Sequence, residues 1–389
     1  MRRRDLLSLA ALSPFSNIWA KAATDQRPHP AEVPPQRALI LIELKGGNDG
    51  LNTLVSYTDP AYYHLRPRLA IAADKVLPLN ETIGMHPALK PLLPAWKHGN
   101  LAWVQGVGYA NPNLSHFRSR DIWETASGAE EVLTVGWLAQ VLPVRAERTW
   151  PDVLILGGGN GAVQGGALQV VAMKAPEDFV KEAARLPPNH RAGLTTGALN
   201  HILAVRVSVE QTAKGLRETL VDLDDKKLPN LPNTNIGRQL RNAARILLSD
   251  IPVPALKLAH PGFDTHTNQL NRHGRLLGEL AEALAAFRVA MSRANRWDRV
   301  LVMTYSEFGR RVPENNSLGT DHGTAAAHLV MGGTVRGGLY GNMPILTELD
   351  GGNLHYTTDY RRLYATVTHR WWHLGGARWG KNLAPMEWL

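Results

Sequence analysis

Three dense polar clusters lie close together in one stretch of the chain: Phe263-Asp264-Thr265-His266, Ser306-Glu307-Phe308-Gly309-Arg310-Arg311 and Gly319-Thr320-Asp321-His322-Gly323. A fourth, Gly46-Gly47-Asn48-Asp49-Gly50, stands far upstream. Carboxylate oxygens and imidazole nitrogens are common donors to divalent cations, and adjacent glycines let the backbone turn sharply enough to bring them together. The four clusters together point to metal-dependent chemistry. Asp49 alone reads either as a ligand or as part of an Asn-Asp-Gly turn.

A fifth segment, Ser115-His116-Phe117-Arg118-Ser119-Arg120, opens a helical pattern whose apolar stripe is Phe117, Ile122, Trp123 and Ala126. Ser115 occupies the N-cap position. It serves there either as a simple cap or as a nucleophile, because a helix N-terminus favours a nearby anion. Arg118 and Arg120, within one turn, can contact a phosphate or sulfate. His116 is assigned to packing or hydrogen-bonding support. Gly157-Gly158-Gly159-Asn160-Gly161 lacks the lysine of a nucleotide-binding P-loop and the spacing of a dinucleotide fingerprint, so it reads as a loop.

The elements that must position these groups are visible as apolar runs. Ala38–Leu44, Leu101–Val107, Pro254–Ala259, Val300–Tyr305 and His328–Met331 have the length and composition of buried strands. Four of the five clusters directly follow such a run or precede the next one. Amphipathic helices are expected over 200–223, 235–249 and 268–295, and a capped helix over 354–372. The expected fold is α/β, with a mainly parallel central sheet flanked by helices on both faces. A single domain covers 37–389, with a less regular middle region around 130–250.

The N-terminus adds an address. Arg3-Arg4-x-Leu6-Leu7 resembles a twin-arginine export signal, and Ala20-Lys21-Ala22 offers a cleavage site. Residues 1–22 are thus expected to be a signal peptide engaging the twin-arginine translocase, and 23–36 a Pro-rich linker. The expected destination is the periplasm or another exported location. The apolar part of the signal is too short for a stable membrane anchor. The 389-residue chain has no cysteine, which excludes disulfides, Cys-zinc sites and Cys nucleophiles. Its net charge of +9 falls to +6 without residues 1–22, and no long Lys/Arg block remains. Nucleic acid is therefore not an expected partner.

The motifs taken together resemble the exported bacterial family called domain of unknown function 1501, which is placed with the alkaline phosphatase and sulfatase superfamily. They are L-K-G-G-N-D-G-L-N (44–52), L-S-H-F-R-S-R-D-I-W-E (114–124), G-W-L (136–138), F-D-T-H-T-N-Q (263–269), S-E-F-G-R-R (306–311), E-N-N-S-L-G-T-D-H-G (314–323) and T-T-D-Y-R-R-L-Y-A (357–365). The resemblance implies an alkaline-phosphatase-like fold and a two-metal layout. Asp49 matches the first metal-binding aspartate, and Ser115 the nucleophile. Asp264 and His266 match an aspartate–histidine ligand pair, more tightly spaced than the usual D-x-x-x-H. Glu307 matches the aspartate of a strand-end S-D-H-G, Phe308 its histidine, and His322 the last histidine ligand. Asp321 supports His322 or binds directly.

Phe308 departs from that pattern and leaves one site a ligand short, so one or two divalent metals are implied. Zinc, manganese, magnesium and calcium are not distinguished. The implied activity is hydrolysis of a small anionic ester, with Ser115 as nucleophile and Arg118 or Arg310 holding the substrate's charge. Phosphate esters rank ahead of sulfate esters, because no C-x-P-x-R or S-x-P-x-R signature occurs at 115. The alternative is a non-catalytic binding or assembly protein of the cell envelope that keeps the fold with a degraded site.

Overall fold

A computed structural model describes residues 37–144, 150–185, 197–220, 228, 230–249, 251–375 and 383–389. The expected signal peptide and the linker lie outside the described residues.

The central sheet has nine strands: β1 (Ala38–Lys45), β2 (Leu101–Gly108), β3 (Val153–Ile155), β4 (Val170–Ala172), β5 (Ala255–Pro261), β6 (Val300–Tyr305), β7 (Ala326–Gly332), β8 (Gly338–Tyr340) and β9 (Thr358–Asp359). Their order across the sheet is β8-β2-β7-β6-β1-β5-β3-β4, with β9 also beside β2. All pairings are parallel except those of β7, which runs antiparallel to both β2 and β6. The fold is therefore α/β with a mainly parallel sheet, as the strand patterns predict. The middle region contributes β3 and β4 to one side of this sheet.

Flanking helices are α1 (Gly50–Thr53), α2 (His116–Thr125), α3 (Pro176–Ala183), α4 (Gly197–Leu220), α5 (Asn235–Leu248), α6 (Gln269–Arg293) and α7 (Arg361–Thr366). Alternation along β1 explains why both faces need covering. Ile40 and Ile42 join one apolar core with Leu276, Leu280, Leu284 and Phe287 of α6. Leu39 and Leu41 join the other core, with Ile122 and Trp123 of α2 and Leu363 and Tyr364 of α7. The tail departs from the expected single helix: Thr358–Asp359 pairs with β2, and only Arg361–Thr366 is α-helical, followed by a π-helical turn over Val367–Trp371.

Topology delivers the polar clusters to one edge. The parallel strands β1, β2, β5 and β6 end at Lys45, Gly108, Pro261 and Tyr305, just before the segments bearing Asp49, His116, Asp264 and Glu307. Antiparallel β7 begins at that edge, so His322, just before it, arrives there too. This carboxyl edge is where open α/β sheets assemble their sites.

A buried charge network fixes helix α2 over this edge. His116, Arg120 and Glu124 recur at every fourth residue and share one helix face. Glu124 pairs with Lys257 of β5 at 2.6 Å, and Lys257 lies 3.7 Å from Glu43 of β1. Arg120 approaches Glu43 at 3.2 Å. Burial pushes the Glu43 carboxyl up, against the lowering effect of Lys257.

Candidate metal centre

His116, Asp264 and His322 each offer a donor atom within 4.8 Å of the others. His266 joins them: its Nε2 lies 3.1 Å from His322 Nε2 and 3.1 Å from Asp264 Oδ1. His322 Nε2 is in turn 3.3 Å from Asp264 Oδ1. The second imidazole nitrogens show how the rings are oriented. His322 Nδ1 sits 2.9 Å from the Leu114 carbonyl, which can only accept, so Nδ1 carries the hydrogen. In the neutral ring, which burial favours by pulling the His322 pKa down, Nε2 then presents a bare lone pair to Asp264 and His266.

His116 is held in the same way by a carboxylate. Its Nδ1 is 2.9 Å from Glu307 Oε1, and its Nε2 faces Asp264 Oδ2 at 3.5 Å. The hydrogen bond to Glu307 raises the His116 pKa, outweighing burial. Glu307 is fully buried and also accepts the Gly46 amide at 3.0 and 3.1 Å. Burial alone would raise its carboxyl, but these hydrogen bonds, His116 foremost, hold it below the ordinary range. Asp321 lies outside the cluster, with Oδ1 3.3 Å from His266 Nδ1. Carboxylates and carbonyls behind imidazoles are the usual outer support of metal ligands. His116, Asp264 and His322, with His266 beside the last two, offer the imidazole and carboxylate atoms that a divalent cation takes.

The remaining sequence-predicted residues have other partners. Asp49 is wholly buried, with Oδ2 2.6 Å from Arg66 and also bonded by Gln269, and Oδ1 accepting the Leu51 amide that it caps. Arg66 outweighs burial and keeps Asp49 ionised. Its carboxylate is thus an ion-pair partner behind the site rather than a member of the cluster. Glu307 likewise stands behind His116. Ser115 is exposed at the N-cap of α2, and its hydroxyl makes no capping bond. Arg118 turns away and donates to the carbonyls of Ala129 and Glu131.

Arg310 is an internal strut, not a free anion binder. Its buried guanidinium donates to the carbonyls of Gly46, Gly47, Phe263 and Thr320 and to Asp264 Oδ1. Burial would raise the Asp264 carboxyl, but Arg310 overrides it and holds the pKa at about 2. Phe308, where the resemblance would set a histidine ligand, is a buried ring packed beside the cluster. Its ring centroid lies 4.9 Å from that of His116 and 4.4 Å from that of His322. Gly47, at φ +83, passes so near that a Cβ there would fall 2.5 Å from the Phe308 ring.

Two functional candidates escaped the sequence reading. One is His116, whose spacing from Arg120 and Glu124 was the available signal. The other is Arg311, which with Leu114, His266, Asp321, His322 and Asn353 lines a shallow cavity of about 400 Å³ over the cluster.

Comparison with known proteins adds a partial family match. Residues 211–381 match the family described as "Protein of unknown function (DUF1501)". Among proteins of curated function, none matches this sequence. Three solved structures are similar at low identity. One, titled "Crystal structure of Ps i-CgsB", has TM-score 0.41 and 10% identity over 90% of this chain and 75% of that one. The lipoteichoic acid synthase LtaP from Listeria monocytogenes has TM-score 0.36 and 10% identity over 85% and 76%. A protein in the alkaline phosphatase superfamily from Vibrio parahaemolyticus has TM-score 0.35 and 10% identity over 82% and 64%.

Proposed function

We propose that this chain is a metal-dependent hydrolase of a small anionic ester of the phosphate class, with His116, Asp264, His266 and His322 holding a divalent cation. One observation carries the reading: two imidazole Nε2 atoms and a carboxylate oxygen meet at 3.1 to 3.3 Å, a set of ligand-type atoms close enough to share one cation. A donor set richer in nitrogen than oxygen favours zinc over magnesium or calcium.

The bound cation would supply Lewis-acid polarisation of the ester and charge neutralisation. The chain's own residues do the rest. Glu307 and the Leu114 carbonyl fix the rings of His116 and His322 through their Nδ1 hydrogens. Arg310 keeps Asp264 ionised and in place. Arg311, on the cavity wall, provides positive charge for the ester's anionic oxygens. Ser115, exposed beside His116 at the start of α2, is the side-chain hydroxyl proposed to attack. The attack forms a P–O bond to Ser115, whose hydroxyl proton passes to water, and breaks the P–O bond to the alcohol, which leaves with a proton from that water. Hydrolysis of the phosphoseryl ester by water restores the serine.

Export by the twin-arginine route belongs to this proposal and rests on Arg3-Arg4 and the apolar run after them. No described helix is long and apolar enough to cross a membrane. The test is turnover of an aryl phosphate, an aryl sulfate and a phosphodiester by protein purified without chelators. Phosphate-ester turnover lost in His322→Ala and on chelation supports the reading. Bound metal with no turnover of any ester would make the site a binding centre instead.

A further inference from the structure

The Gly157-Gly158-Gly159 turn, which carries no nucleotide motif, lies at the same carboxyl edge as the metal cluster. It follows β3, and Gly157 and Gly158 form part of the wall of a cavity of about 890 Å³ between α3 and α5. Lys45 and Pro261, the last paired rung of β1 and β5, complete one wall. The next residue after Lys45 is Gly46, whose amide holds Glu307, and Asp264 follows Pro261 by three positions. The groove and the cluster are thus two sides of the same strand ends.

Two independent features of this groove suit an anion. First, the amides of Gly157, Gly158 and Gly159 have no hydrogen-bond partner among the described residues. Gly158 has φ +86, and a Cβ there would lie 3.0 Å from Glu43 and 3.3 Å from Lys257. Glycine is what allows the turn to sit on the buried charge network, and successive unpaired amides can form an anion-binding concavity. Second, Lys45, Lys174, Lys181 and Arg238 line the groove, are exposed, and make no ion pair among the described residues. The acids Asp178 and Glu182 do not balance them, because Arg185 adds a further cation.

We infer that this groove binds a second anionic group of the phosphate class, carried by the substrate at a distance from the ester that is cleaved. The link to cleavage rests on the hydrolase reading, whereas anion binding by the groove stands without it. The favoured substrate class is accordingly a bis-anionic or oligomeric phosphate ester rather than a simple monoester.

The probe is inorganic tripolyphosphate, titrated calorimetrically at low salt into the full chain and into Lys174→Glu/Lys181→Glu/Arg238→Glu. The triple variant should bind at least tenfold more weakly, whereas Arg293→Glu, a charge reversal at an exposed residue outside the groove, should bind within twofold of wild type. Hydrogen exchange of the 156–161 segment should slow when tripolyphosphate is added. If the triple variant misfolds, Lys174→Gln/Lys181→Gln should still weaken binding severalfold. No binding by wild type, equal binding by the charge variants, or an equal loss of binding in Arg293→Glu would each overturn the proposal. Failure of ester turnover with these results intact would refute only the hydrolase reading.

Discussion

Replacing Arg310 separates a structural strut from a substrate-binding cation. Its side chain is fully buried and ties the turn after β1, the segment after β5 and the 319–323 loop to one guanidinium. In Arg310→Met the carbonyls of Gly47, Phe263 and Thr320 lose donors at 2.8, 3.1 and 2.9 Å. Asp264 loses its 2.7 Å partner but is about half exposed and can rehydrate, so the carbonyls dominate the cost. Unpaired buried acceptors cost roughly 1–3 kcal/mol each, and partial hydration brings the expected loss to about 3–5 kcal/mol. Arg310→Lys keeps the charge but cannot span the acceptors, so about 2 kcal/mol should still be lost. The assay is denaturant unfolding of metal-free protein, followed by metal retention after reconstitution. Loss of stability together with loss of metal supports the strut. A stability change below about 1 kcal/mol with turnover abolished would restore Arg310 as a substrate-contacting residue and refute this argument.

Burial lowers the pKa values of His86, His273 and His328 to about 4, 3 and 3, so they fold neutral while the unfolded chain takes up protons below about pH 6.5. Stability is therefore complete above that pH and falls on acidification, by about 2 kcal/mol per histidine at pH 5. His328→Phe, against Trp123, should flatten the slope by about one proton in denaturation measured from pH 7 to 5, and an unchanged slope would refute it. Asp49→Asn should cost about 3–5 kcal/mol by leaving Arg66 buried and unpaired, yet leave metal stoichiometry unchanged on elemental analysis. Ser115→Ala should abolish ester turnover with stability within about 0.5 kcal/mol of wild type, since its hydroxyl caps nothing; full turnover would move the nucleophile to water.

Much of the scaffold was legible because strand and helix periodicities are local. Val300–Tyr305 matches its strand, and Leu276, Leu280, Leu284 and Phe287 form the buried stripe of α6 as their spacing requires. The approximate position of the site was legible too, since clustered ligands at strand ends converge whenever the strands are parallel. Which cluster residues face inward was not. Asp49 and Glu307 have the right type and place, but the pairing of Asp49 with Arg66 and of Glu307 with His116 depends on contacts distant in sequence. Phe308 looked like a missing ligand, whereas in three dimensions it packs against two imidazoles. Arg310 and Arg311 are neighbours in sequence with opposite fates, one interior and one on the cavity wall.

The most direct test of the metal centre is elemental analysis of the full chain purified without chelators, beside Asp264→Ala/His322→Ala prepared identically. The geometry predicts about one divalent ion per chain in wild type, held by imidazole nitrogens, and a near-complete loss in the double variant. Wild type that retains no zinc or manganese even after reconstitution, or a double variant that keeps its full complement, would contradict the account.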